Sequence, residues 1–237
     1  MVGMLKSVRR WSAPKARAVS PMTSGLRCVL LGAVGIAALV VLVPKARADD
    51  LTVFFESDGL VAPAKAFLLS RARHIRAWAR TREVVAAVRT QNASGLTLRE
   101  IQKIDEQWVA GEPGVAQGHE VLTSPCADEL RRLIAMAPPG YYREAFATDA
   151  NGALVCATER TSDYWQGDEA KWIRAYNDGS GGIYIGPVQF DESVGHPLVQ
   201  IAVPIVADDR VIGVLVVGKI VQNLELGRKL ERRRAVD

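Results

Sequence analysis

Residues 142–158, YREAFATDANGALVCAT, and residues 198–221, LVQIAVPIVADDRVIGVLVVGKIV, decide the fold of this chain. Each is a pair of β-prone apolar runs joined by a turn. Asp149-Ala150-Asn151-Gly152 joins the first pair, since Asn and Gly accept the positive φ that a tight hairpin needs. Ala207-Asp208-Asp209-Arg210 joins the second. With Gly182–Phe190 between them, the pattern predicts five strands in antiparallel succession, at 144–148, 153–158, 182–190, 198–206 and 211–221. The last is almost all Val, Ile, Leu and Gly, which suits a central strand covered on both faces. Pro204 has no N–H to give a ladder, so its position is expected at a bulge or an edge.

Upstream the pattern is helical. Leu68, Ile75, Trp78, Val85 and Val88 form one apolar stripe, which predicts a single long helix over 62–90. Thr97-Leu98-Arg99-Glu100 is a capping-box pattern that opens a second helix through Trp108. Residues 111–118 are expected to be loop. Ser124-Pro125 opens a third helix, which ends before Pro138-Pro139-Gly140. The fold class is therefore α+β, one domain over residues 49–221 with a short basic helical tail at 222–237.

The first 48 residues read as an export leader. Cys28–Val43 is an uncharged run of 16 residues, short of the ~20 that cross a bilayer comfortably. Ala46-Arg47-Ala48 follows as a small-x-small cleavage signal, so the mature chain would begin at Asp49, and Met22 is a candidate true start. The alternative is an uncleaved anchor at Cys28–Val43. Both place the domain in the periplasm or outside the cell. The leader also distorts the charge. Residues 1–48 hold eight of the 30 Lys and Arg and none of the 26 acids, so the remainder carries 22 basic and 26 acidic side chains, net −4. The alkaline character belongs to the leader, and nucleic acid is not an expected partner. Cys126 and Cys156 could pair after export or stay as two buried thiols.

The segment 159–186, ERTSDYWQGDEAKWIRAYNDGSGGIYIG, joins the second and third strands. It concentrates Tyr164, Trp165, Trp172, Tyr176 and Tyr184, five of the fifteen aromatic residues. Aromatics make pocket walls, and converging charges orient a ligand. Arg160 could pair with a carboxylate, and Asp163, Asp168 or Asp191 could accept from an ammonium or hydroxyl group. The ligand contacts expected from composition and position are thus Arg160, Asp163, Tyr164, Trp165, Trp172, Tyr184 and Asp191. Trp165 and Trp172 serve equally well as core. Asp168-Glu169 also suits the start of a short helix. Catalysis has little support. No serine has a nucleophile-elbow context, no Cys/His spacing suits a metal, and the glycines at 179–182 neither open a helix nor precede a P-loop lysine. No cofactor is implied.

The string Ala145–Val155, together with Asp163-Tyr-Trp-Gln-Gly-Asp, Ile201-Ala-Val-Pro-Ile and Val211-Ile-Gly-Val-Leu, resembles extracytoplasmic Cache sensor domains, also called PDC-type or PAS-like, in their single-Cache form. That resemblance implies a long N-terminal helix on a five-stranded antiparallel sheet. It also implies a pocket between the sheet and the segment joining its second and third strands. It further implies a sensory, non-catalytic protein for a small polar organic molecule, with a carboxylate expected on the ligand, feeding a separate membrane receptor or histidine kinase. Amino-acid-binding members carry an arginine just before a Trp-Tyr pair. Here the order is Asp163-Tyr164-Trp165 with Arg160 earlier, a partial match. The alternative is an interaction protein that dimerises through the long helix.

Overall fold

The computed structural model describes residues 51–56, 60–111, 116–191 and 196–221; the leader expected at 1–48 and the helical tail expected at 222–237 lie outside them. The chain runs β1 (Thr52–Phe55), α1 (Ala62–Trp78), α2 (Arg82–Ala93), α3 (Leu98–Val109), α4 (Ala116–Thr123), α5 (Pro125–Ala135), β2 (Tyr142–Thr148), β3 (Leu154–Ala157), α6 (Ala170–Tyr176), β4 (Gly182–Ile185), β5 (Gln189–Asp191), β6 (His196–Ala207) and β7 (Arg210–Ile220). This is the expected α+β architecture of helices packed on a sheet.

Three differences from the sequence reading have local causes. The long helix over 62–90 is two helices. Thr81 is extended (φ −63°, ψ 149°), and its hydroxyl donates to the Trp78 carbonyl at 2.9 Å, a local bond that competes with helical pairing. The strand over 182–190 is divided at Pro187, which cannot donate to a ladder. The loop expected over 111–118 overlaps α4, which begins at Ala116. The other helix starts follow their signals. Thr97 and Glu100 form the capping box, and Ser124 Oγ accepts the Ala127 amide at 3.3 Å.

The sheet has seven strands in the order β1-β4-β6-β7-β2-β3, with β5 also on β6. It is mixed rather than wholly antiparallel, because β1 pairs with β4 in parallel register, Thr52 opposite Gly182. Both hairpins form as expected. Gly152 has φ +84°, and Asp208 and Asp209 lie in the left-handed region. The β6 ladder with β7 shifts register between Ile205 and Val206, next to Pro204.

Alternation along the strands divides the core in two. Val199, Ile201, Val203, Ile205, Leu215 and Val217 face α1, α2 and α5, meeting Leu68, Ile75, Trp78, Val84, Val88 and Leu130. Phe146, Tyr184, Ala202, Val214 and Val216 face the other way, toward Ile101, Ile104 and Trp108 of α3 and Tyr164 of the β3–β4 connector. That connector carries α6 across the second face, against β4, β6 and β7. The central β7 is consequently apolar on both sides, as its composition predicts. A disulfide joins Cys126 of α5 to Cys156 of β3, 30 residues apart, and settles the pairing that the sequence leaves open.

Candidate functional site

A row of four residues crosses the second face near one end of the sheet. Glu144 of β2 stands opposite Gly218 of β7, and Gly218 stands opposite Gln200 of β6. The Gly186 amide, just past β4, donates to the Gln200 carbonyl at 2.9 Å. Two polar side chains thus alternate with two glycines. The glycines supply room: a Cβ on Gly218 would sit 2.8 Å from Glu144 Cγ, and one on Gly186 would sit 3.3 Å from the Tyr184 hydroxyl. Above this row the chain leaves a cavity of about 560 Å³, walled by Glu56, Tyr184, Pro187, Gln189, Phe190 and Leu198 and by Glu169, Ala170 and Lys171 at the start of α6. It lies between the sheet and the connector of β3 to β4, the place that the sequence resemblance implies.

The polar groups are interlinked. Tyr184 donates its hydroxyl to Glu56 Oε2 at 2.7 Å. Gln200 Nε2 reaches across Gly218 to Glu144 Oε1 at 3.3 Å. Lys171 Nζ lies 2.5 Å from Glu169 Oε2 and 5.7 Å above the Phe146 ring. Burial pushes the Glu144 carboxyl above its ordinary value, against the pull of Gln200. Burial, and then the bond to Glu56, push the Tyr184 phenol far up. The cavity therefore presents three carboxylates and one ammonium, and that ammonium is already paired.

Of the residues singled out in the sequence, Tyr184 lies on this wall. Asp191 ends β5 with its backbone opposite His196, and its side chain lies outside the described residues. The others gather on the far part of the connector, against α3 and the β2–β3 turn. Arg160 lays its guanidinium 4.3 Å over the Trp108 ring and donates to the Trp108 carbonyl. Tyr164 is buried beside Trp108, takes a hydrogen bond from Gln91 Nε2 at 3.2 Å, and has its phenol pushed up to about 12, chiefly by burial. The Tyr164 and Trp165 amides both donate to Asp105 Oδ1. Trp165 Nε1 donates to the Asn151 carbonyl at 2.9 Å. The Asp163 carboxylate accepts from Ser162 Oγ at 2.7 Å. Trp172 stacks on Tyr176 with ring centroids 4.8 Å apart and donates to the Asp149 carbonyl at 3.3 Å. Arg160 is the residue expected to pair with a ligand carboxylate, and here its guanidinium holds Trp108.

Sequence reasoning did not single out Glu56, Glu144, Lys171 and Gln200 as cavity residues. A signal for two of them exists. Glu144 shares its face with Phe146, and Gln200 shares its face with Leu198 and Ala202. A polar residue at an inward position of a buried strand points to a site.

No known protein family matches the sequence, and no curated protein does. Several solved structures are similar in part. The ligand-binding domain of the Campylobacter jejuni chemoreceptor Tlp3, in complex with 4-methylisoleucine, is 11% identical over 68% of this chain and 61% of its own, with a TM-score of 0.31. The sensor domain of the Vibrio cholerae histidine kinase DctB is 13% identical over 70% of this chain and 55% of its own, with a TM-score of 0.34. The ligand-binding domain of the Pseudomonas aeruginosa amino-acid chemoreceptor PctC, in complex with GABA, is 12% identical over 68% of this chain and 61% of its own, with a TM-score of 0.31. The chain thus spans less than two thirds of each of these domains.

Proposed function

We propose that this chain is an exported Cache-type sensory domain over residues 49–221 that binds a small polar organic molecule in the cavity above Gly218 and performs no catalysis. The observation that carries this reading is the cavity itself. Its volume of about 560 Å³ falls in the ordinary range of small-molecule pockets, ~300–1,000 Å³. Its floor includes Glu144, Gln200 and Gly186, the last with no side chain to fill it. The leader and the Cys126–Cys156 disulfide fit an oxidising compartment outside the cytoplasm. Among the described residues no helix is long and apolar enough to cross a membrane. A separate membrane receptor or histidine kinase is the partner in this reading.

A thermal-shift screen of small polar solutes tests this, run in parallel on the natural chain and on Gly218→Ala and Gly218→Val. Solutes that raise the natural chain's Tm and lose that effect in both variants support the cavity. Solutes that stabilise all three proteins equally overturn it. Silence to every solute beside a concentration-dependent dimer would instead favour an interaction protein that dimerises through α1.

A further inference from the structure

We propose that the cavity selects an organic cation, a molecule with at least one protonated amine, and excludes carboxylic acids. This rests on the ligand-binding reading above and names the class of ligand for that same site. The charged and hydroxyl donors of the wall are already engaged within it, and only the uncharged amides of Gln189 and Gln200 keep N–H groups for a ligand. The Tyr184 hydroxyl is given to Glu56, one Gln200 amide hydrogen to Glu144, and Lys171 to Glu169. What the wall offers in excess is acceptors and negative charge: the carboxylates of Glu56, Glu144 and Glu169. An entering carboxylate would meet the like charges of Glu56 and Glu144, while Lys171 and Glu169 neutralise each other. An entering ammonium brings the missing donors and the missing charge together. Phe190, 58% exposed and on the cavity wall, offers a ring to the same cation.

Glu144 is the group most in need of that partner. Burial holds its carboxyl above the ordinary value; the Glu159 charge adds to this, while Gln200, Lys171 and Arg143 oppose it. A bound ammonium favours the ionised form, so cation binding releases protons and weakens as the pH falls.

The test is isothermal titration of the full chain at pH 7.5 with three molecules of one length: 1,4-diaminobutane, 4-aminobutanoate and butanedioate. The expected order of affinity is diamine, then amino acid, then no detectable diacid. Glu144→Gln should weaken the diamine roughly tenfold or more, with a thermal midpoint no lower than the natural chain's. Butanedioate binding as tightly as the diamine, and lost in Gly218→Ala, overturns the cation assignment and leaves the cavity standing. Diamine binding that survives Gly218→Ala and Gly218→Val unchanged overturns the cavity itself. No heat from the diamine at millimolar concentration also overturns the assignment.

Discussion

The Tyr184 hydroxyl meets the Glu56 carboxylate at 2.7 Å, and 128 residues of chain separate the two. The contact fastens the end of the edge strand β1, already held where the Glu56 amide donates to the Ile185 carbonyl at 2.9 Å, to the wall of the cavity. Tyr184→Phe keeps the ring and removes the bond. A hydrogen bond to a charged group contributes about 1.5–3 kcal/mol when buried, but Glu56 is exposed, so less than this applies. The expected loss is roughly 1 kcal/mol, or a fall of about 2–4 °C in Tm for a domain of this size. Thermal unfolding followed by circular dichroism checks it; an unchanged midpoint would show that the bond contributes nothing.

Both Tyr164 and Tyr184 hold their phenolic protons to higher pH than a free tyrosine, chiefly because burial disfavours the phenolate; the Tyr164 value is pushed up to about 12. In the unfolded chain both ionise near pH 10. The folded state therefore binds more protons above that pH, and stability falls as the pH rises past it. Phenolate absorbance at alkaline pH should show part of the signal of the five tyrosines arriving late, a part that shrinks in Tyr164→Phe and in Tyr184→Phe, together with loss of the near-UV circular dichroism. Early ionisation of all five in a folded chain would contradict the packing of both rings.

What the sequence made legible was local. The β2–β3 turn was readable because its chemistry lies within five residues: Asp149 Oδ1 accepts the Asn151 and Ala153 amides at 2.8 and 2.9 Å. The capping box at Thr97 was readable for the same reason. The strand β1 was not, since its four residues gain strand geometry only by pairing with β4, some 130 positions away. The candidate site lay between these extremes. Aromatic density marked the connector, and the connector does cover one side of the cavity. Its large rings, however, pack where apolar area is buried best, against α3 and the hairpin turn. The cavity is lined from several elements distant in sequence, and of its polar residues only Glu144 and Gln200, at inward strand positions, carry a local signal.

Gly152 and Gly167 touch back to back. A Cβ on Gly152 would lie 2.4 Å from the Gly167 Cα, and Gly152 also has φ +84°. Neither neighbour is a side chain that can swing away. Gly152→Ala combines overpacking of about 1–3 kcal/mol with backbone strain of order 1 kcal/mol. The expected loss is therefore roughly 2–4 kcal/mol, read as a lower urea midpoint. Gly95→Ala is a control with φ +70° and open space around it, and it should cost only the strain. Equal effects at both sites would remove the argument from contact.

The disulfide between Cys126 and Cys156 closes a loop of 30 residues that includes the start of β2 and its hairpin turn. Restricting that loop in the unfolded chain should be worth about 3–4 kcal/mol. The double variant Cys126→Ala, Cys156→Ala is expected to lose about this much in urea unfolding. The natural chain with reductant present throughout should behave alike. Identical midpoints with and without reductant would mean that the two thiols are not joined in solution.

Glu144→Gln should stabilise the protein at neutral pH, an uncommon result for a residue in a polar network. The natural carboxyl is raised above 4.5, first of all by burial, so the folded chain holds this proton more tightly than the unfolded chain does. Stability conferred at this position is therefore greatest in acid and declines as the pH rises through the folded value; above it the cost of an ionised, desolvated carboxylate is fully present. Glutamine has the same shape, carries no charge, and can still accept the Gln200 amide that reaches Glu144 Oε1 at 3.3 Å. The two proteins should unfold at similar urea concentrations near pH 4 and diverge toward pH 7.5, with the variant the more stable. A variant less stable than the natural chain at pH 7.5 would mean that the ionised carboxylate is compensated within the empty cavity, and the need for a bound cation to complete it would disappear.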